Sequence, residues 1–390
     1  MKKNQILKNI VSIVAVLAAT VLLTACGGNK KAAKQADSSS KSTSSKKAPK
    51  PVNAADEQIN TIMQHMSLKE KVGQLFLARV PATNAVSDVQ TYHLGGYLLF
   101  GQDMAGQTTS SLKSNIQSYQ QNSKIPLLIG SDEEGGTVTR LSSSKLVTPA
   151  FRSPHNLYVS GGLKALTQDA TNKAQVLKGL GIQMPMAPVA DVATDPAAFI
   201  YALTVGLDAK GTGAYVTAYV KSLQDNGVAA TLKHFPGYGN NKDSHVDIVT
   251  DTRSLHELKT VDFKSFKAGI KAGADSVLVS HNIVNAIDSK RPASISAKVH
   301  KVLRKQLHFK GVIMTDDLDM QGLAKFTDQN HAALDALQSG NDLVMTSHYA
   351  TQIPFVMTAI KNSDYSKKQL NASVRRVLKM KQKLGMLTSF

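Results

Sequence analysis

The sequence predicts a single-domain (β/α)8, TIM-like barrel, and three observations carry that expectation. Eight short apolar runs, at residues 72–80, 96–100, 125–130, 184–189, 228–232, 276–279, 311–314 and 342–345, each end in polar or glycine residues. The runs are continuous rather than alternating, as in strands buried on both faces of a parallel sheet. Stretches of helical spacing separate them, so each strand has its crossover helix. About 335 residues follow a basic leader, a length that suits one barrel with long loops; eight units also exceed a six-stranded doubly wound sheet.

In chain order, Lys2, Lys3 and Lys8 precede an apolar run over 10–23 broken only by Ser12 and Thr20, the pattern of an export signal. The run is short of the ~20 residues that cross a bilayer, although an uncleaved membrane anchor is the other reading. It ends in Leu23-Thr24-Ala25-Cys26, which resembles a bacterial lipobox. That resemblance implies a signal peptide over 1–25, a lipidated Cys26 and an extracytoplasmic protein anchored to the cell membrane. Cys26 is the only cysteine, which leaves no disulfide framework and no thiolate zinc site.

Residues 26–54 are rich in Lys, Ser and Ala with almost no large apolar side chain, and they read as a flexible tether ahead of a barrel over 55–390. The first fifty residues hold ten Lys and one Asp, so they supply +9 of the formal net charge of +18. The remaining lysines are scattered and no nucleic-acid reader motif is present. The basic excess therefore suits anionic envelope polymers and lipids, not nucleic acid.

Two helices are legible in detail. Ser254 and Glu257 have capping-box spacing, and Leu258, Val261, Phe263, Phe266 and Ile270 follow at roughly helical intervals. Near the end, Leu370, Val374, Val377, Leu378 and Leu384 form one apolar stripe with Arg375 and Arg376 opposite.

In such a barrel the C-terminal ends of the strands share the face on which sites are built. Those ends offer Asp132, Asp191, Lys233, His234, His281, Asp316 and His348. Asp316 closes an apolar strand, where a carboxylate can attack an anomeric carbon or stabilise positive charge on it; Thr315, Asp316 or Asp317 could equally cap the next helix. Asp243 and His245 sit beyond Gly237 and Gly239, in a loop where Asp can orient a general acid/base imidazole; a plain polar loop or a pair of metal ligands are the other readings. Lys233 needs a partner or ligand if buried, and either a structural Asp or sugar hydroxyls would serve. The acidic triplet in "DEEGGTVTR" lacks EF-hand spacing, and its paired glycines suit a tight turn.

Three separated segments, "DEEGGTVTR", "KHFPGYG" with "DSH", and "GVIMTDDLDM", together resemble glycoside hydrolase family 3, in its single-domain β-N-acetylhexosaminidase branch. The resemblance spans about 58–387. It implies Asp316 as nucleophile, His245 as general acid/base oriented by Asp243, and Asp132, Arg140, Lys233 and His234 as ligands of the terminal sugar. The implied reaction is retaining hydrolysis of terminal GlcNAc from peptidoglycan fragments or related glycans, by a monomer that needs no cofactor and no metal. The family usually has an Arg-Ser/Thr-Phe-Gly segment after the fourth strand, where this chain has Leu203-Thr204-Val205-Gly206. Tyr238 likewise stands where many relatives have His. A catalytically impaired or altered-specificity sugar-binding lipoprotein on the same barrel is the second reading.

Overall fold

The computed structural model describes residues 54–388. The expected signal peptide, Cys26 and most of the tether lie outside the described residues. The described residues form one compact unit. Its first helix, Ala54–His65, begins where the tether is expected to end, and Asp56 meets Lys379 of the last helix, Lys367–Lys383, at 2.6 Å.

Eleven strands follow in chain order: β1 Phe76–Arg79, β2 Gly96–Leu99, β3 Leu128–Ser131, β4 Glu133–Gly135, β5 Val138–Thr139, β6 Thr231–Phe235, β7 Thr250–Asp251, β8 Ser276–Val279, β9 Ile283–Val284, β10 Val312–Asp317 and β11 Leu343–Thr346. Seven of them form one parallel sheet in the order β3-β2-β1-β11-β10-β8-β6. The first and last strands pair, with Leu77 opposite Met345. Helices such as Ala85–Tyr92, Thr109–Gln121 and Gln329–Ser339 cross between successive strands.

Side chains alternate across this sheet, as the strand repeat requires. Leu77, Leu98, Leu128, Leu278, Met314, Leu343 and Met345 form a single cluster on the concave face. Their neighbours Phe76, Tyr97, Ile129 and Val344 pack outward against the helices. Val377 and Met380 of the last helix join the inner cluster and floor it. Both faces are therefore apolar, which is why the runs read as continuous.

The fold is a TIM-barrel-like α/β fold, but the ladder is open and lacks one of the eight expected strands. The run at 184–189 makes only isolated parallel bridges, Gly130 with Met184 at one edge and Val189 with Lys233 at the other. Its backbone still bonds to both neighbours, Ser131 N–H to the Met184 carbonyl at 2.9 Å and Ala190 N–H to the Lys233 carbonyl at 2.7 Å. Pro185 and Pro188 have no N–H to give, and Met186 has φ +47, so no regular ladder can run through the segment.

Other boundaries shift by a few residues. The run at 72–80 divides into the end of a capped helix, Leu68–Gly73, and β1. Asp342 lies just ahead of β11 and is held by Arg304 at 2.6 Å and Arg376 at 2.8 Å. Ser254 caps its helix by accepting the Glu257 N–H at 3.1 Å, and that helix breaks at Val261 into Leu255–Thr260 and Asp262–Ala272.

Candidate active site

Sheet polarity decides where the chemistry gathers. Arg79 ends β1, Phe100 follows β2, Asp132 follows β3, Lys233 and His234 lie in β6, and Asp316 and Asp317 close β10. All of these line one cavity of about 350 Å³, together with Arg140, Asp243 and His245. The seven residues singled out from sequence, scattered over 132–316, thus meet in one place.

Asp132 is brought into reach of Arg140 by a hairpin, in which β4 pairs antiparallel with β5. Gly135 and Gly136 turn it with φ of +102° and +65°, and a Cβ on Gly135 would stand 2.1 Å from the Arg152 carbonyl. Only glycine fits both demands. The hairpin sets Arg140 Nη2 3.0 Å from Asp132 Oδ2. Glu133 staples it from beneath, accepting from Ser131, Thr139 and the Leu141 N–H.

Lys233 and His234 are adjacent, yet both reach the cavity, because the β6–β8 register slips between Leu232 and Phe235. Lys233 Nζ lies 3.0 Å from Asp132 Oδ1 and contacts Glu134 Oε1. Burial opposes the charge on Lys233, but Asp132 and Glu134 outweigh it and raise its pKa. Burial likewise opposes ionisation of Asp132, yet Lys233 and Arg140 hold its carboxyl at about 2. His234 donates from Nδ1 to Asp191 Oδ2 at 2.8 Å; burial pulls its pKa down, and Asp191 more than reverses this. Asp191 thereby takes a structural part, accepting also from the backbone N–H of His234 and of Tyr238.

The Asp-x-His pair forms a hydrogen-bonded dyad. Asp243 Oδ1 accepts the His245 Nδ1–H at 2.6 Å and the His245 backbone N–H at 2.8 Å. That bond fixes the tautomer and leaves Nε2 to exchange a proton. Tyr238, fully buried, reaches Ser244 between the two, with its hydroxyl 2.5 Å from Ser244 Oγ.

The two carboxylates at the end of β10 are set apart by their partners. Asp316 Oδ1 accepts the Asp317 N–H at 2.9 Å, and its Oδ2 is buried with no hydrogen-bond partner. Asp317 is bound to Arg79 Nε at 2.6 Å and to the Asp319 N–H at 3.0 Å. Burial pushes Asp317 up to about 6 against the pull of Arg79. Neither caps the next helix, Gln321–Ala324, whose N-cap Met320 makes no side-chain bond. Of these two, Asp316 keeps an oxygen free for something in the cavity; Glu134 Oε2, beside Lys233, is the other buried carboxylate oxygen of the lining without a partner.

Two of the strand-end histidines do not line it. His281 is buried, donates from Nε2 to the Asp317 carbonyl at 2.8 Å and is driven toward the neutral form by burial. His348 is half exposed beside Asp319. Sequence reasoning missed Arg79, Glu134, Phe100 and Phe199 as lining residues. Arg79 could have been found from its place at a strand end, had that strand not been drawn too long. Leu203 closes one wall with Phe199 and Ile200, in the 3-10 turn Phe199–Leu203. Among the described residues, no group of three or more His, Cys, Asp or Glu is arranged to hold a metal ion.

Known proteins share this arrangement of chain. A beta-hexosaminidase of Stenotrophomonas maltophilia (strain K279a) is 34% identical over 264 residues, which are 65% of this chain and 76% of that protein. A beta-hexosaminidase of Xylella fastidiosa (strain M23) is 31% identical over 263 residues, 65% of this chain and 76% of its own. Among solved structures, a glycoside hydrolase family 3 beta-N-acetylglucosaminidase from Paenibacillus sp. str. FPU-7 superposes with a TM-score of 0.78 at 29% identity; the match covers 82% of this chain and 63% of that one. LpqI of M tuberculosis gives 0.76 at 28% identity, over 83% of this chain and 96% of its own. The sequence profile of the glycosyl hydrolase family 3 N-terminal domain matches residues 67–380, from ahead of β1 into the last helix. With the whole described sheet and every residue of the cavity inside that match, the chain belongs to glycosyl hydrolase family 3.

Proposed function

We propose that the chain is an exo-β-N-acetylglucosaminidase, acting on terminal GlcNAc of peptidoglycan fragments or related glycans by retaining double displacement. The observation that carries this reading is the pairing, in one cavity, of a carboxylate with an unpartnered buried oxygen, Asp316, and an Asp-fixed imidazole, His245. Asp316 Oδ2 attacks the anomeric carbon as the His245 imidazolium gives its Nε2 proton to the glycosidic oxygen, and the aglycone leaves as its alcohol, with His245 now neutral. A water deprotonated by His245 then displaces Asp316, so two inversions give retention. Asp243 keeps the Nδ1 proton in place, so that Nε2 is the nitrogen that gains and loses the proton, and it stabilises the imidazolium. The polar wall of Asp132, Arg140, Lys233 and His234 binds hydroxyls of the sugar, with its charges already paired and its geometry fixed before substrate arrives. Beta-hexosaminidases at 31–34% identity support the sugar class.

The test is turnover on aryl glycosides of GlcNAc, GalNAc and glucose, with Asp316→Ala as the blank. The reading requires the highest kcat/KM on GlcNAc and at least ~10³-fold less in the variant. Preference for glucose, or equal rates in the two proteins, would refute it.

A further inference from the structure

The loop that bears the dyad is open to solvent at its ends and buried at its middle. The Asp243 and His245 side chains are 27% and 51% exposed, whereas Ser244 between them is fully buried. The Ser244 carbonyl accepts the Gly322 N–H at 3.1 Å, and the His245 carbonyl accepts the Gln321 N–H at 3.2 Å. These bonds tie the loop to the segment after Asp316. On the other side, Ser244 Oγ meets the Tyr238 hydroxyl, and that contact is the only hydrogen bond the Tyr238 hydroxyl makes among the described residues.

Tyr238 is itself held from three directions. Asp191 Oδ1 accepts its N–H at 2.7 Å, and its ring lies edge-on to His234 at 5.3 Å and to Phe199 at 5.8 Å. Phe199 also packs against the His245 ring at 5.8 Å. Swinging the loop away would break this bond and take from the Tyr238 hydroxyl its one partner, so the pair biases the loop toward the observed pose. Asp191 binds both the His234 imidazole and the Tyr238 backbone, which puts the sugar-binding strand end and the loop in one frame.

We infer that the Tyr238–Ser244 hydrogen bond is a latch that positions His245 for proton delivery to the glycosidic oxygen. Tyr238 and Ser244 act as positioning residues, without touching substrate. The inference rests on the reading of His245 as general acid. It gives the Tyr238 hydroxyl a function, because the phenol extends far enough to reach Ser244 Oγ.

Tyr238→Phe keeps the ring and removes the hydroxyl; Ser244→Ala removes the other half. Misplacing a reacting group by ~1 Å costs ~10²-fold, so kcat/KM on a GlcNAc disaccharide, which reports bond cleavage, should fall roughly ten- to a hundred-fold in each variant. On the nitrophenyl glycoside, whose leaving group needs little protonation, kcat/KM should stay within about threefold, while kcat falls because His245 also serves as base in the second step. The double variant should be no worse than either single one. Amide hydrogen exchange over 243–248 should quicken in both, with the rest of the barrel unchanged. Equal losses of kcat/KM on both substrates, or a disaccharide kcat/KM at the wild-type level, would overturn the latch. Exchange at the loop is read with or without turnover. Unchanged exchange sinks the latch even in a protein that hydrolyses nothing, while inactivity of the wild type sinks the enzymatic reading instead.

Discussion

Leu203 and Tyr238 are the side chains at which this chain departs from the pattern it resembles, and the structure separates their effects. Tyr238 is accommodated by a hydrogen bond to Ser244. Leu203 is not compensated in kind: it packs with Val189, Ala193, Ile200 and Tyr238 and turns an apolar surface to the cavity. A guanidinium there would donate a charge-assisted hydrogen bond worth roughly 1.5–3 kcal/mol to a sugar hydroxyl or amide. Leu203→Arg should therefore raise kcat/KM on GlcNAc aryl glycosides about ten- to a hundred-fold. A thermal melt within a few degrees of wild type would exclude misfolding. A variant that is unimproved while the wild type is fully active would mean that another donor, with Arg79 already in the cavity, has taken the contact. The polar residues were legible singly but not as pairs. Strand-end position revealed Asp132, Lys233, His234 and Asp316, yet nothing local indicated that Asp317 is engaged by Arg79 from 238 residues away, leaving Asp316 free.

At the scale of elements, continuous apolar runs located the seven strands of the sheet within a few residues, because both faces are buried and the period is short. The fourth run, at 184–189, failed for a reason present in its own residues: Pro185 and Pro188 deny the ladder its donors. The hairpin at 133–139 was read only as a turn, since two strands of three and two residues carry no periodic signal. The last helix was read correctly by its stripe, but the stripe does not reveal Lys381, which is fully buried with Nζ 2.6 Å from Gln74 Oε1. Burial alone drives its pKa down to about 7, against an ordinary lysine near ~10.4. Between those values the unfolded chain binds more protons than the folded one, so this residue makes stability rise with pH; below about 7 its full penalty stands. Lys381→Met should be more stable than wild type near neutrality, with the difference shrinking by roughly 2 kcal/mol from pH 7 to 9. Urea midpoints of both proteins across that range measure it. A difference independent of pH would mean that the buried amine is not being neutralised.

At the scale of the whole molecule, the parallel sheet converts a scattered set of residues into one site. Each strand end delivers one or two groups to the same rim, so residues 79, 132, 233 and 316 become neighbours although their sequence spacing is irregular. Buried ion pairs fix the wall of Asp132, Glu134 and Lys233, whereas the Asp243–His245 dyad rides on a loop held chiefly through Ser244 and its backbone bonds to the segment after Asp316. On the proposed mechanism, that division would place rigidity where the sugar is recognised and access where the aglycone leaves. Composition indicated none of this; it bounded the body and its basic leader, while order along the chain indicated the barrel-like fold. The central claim is that Asp316, and not its neighbour Asp317, forms the bond to the sugar. Incubation with a 2-fluoro glycosyl donor, followed by peptide mass spectrometry of the trapped protein, tests it most directly. The account predicts a single label on Asp316, absent in Asp316→Asn; a label on Asp317, or on any other carboxylate, would contradict it.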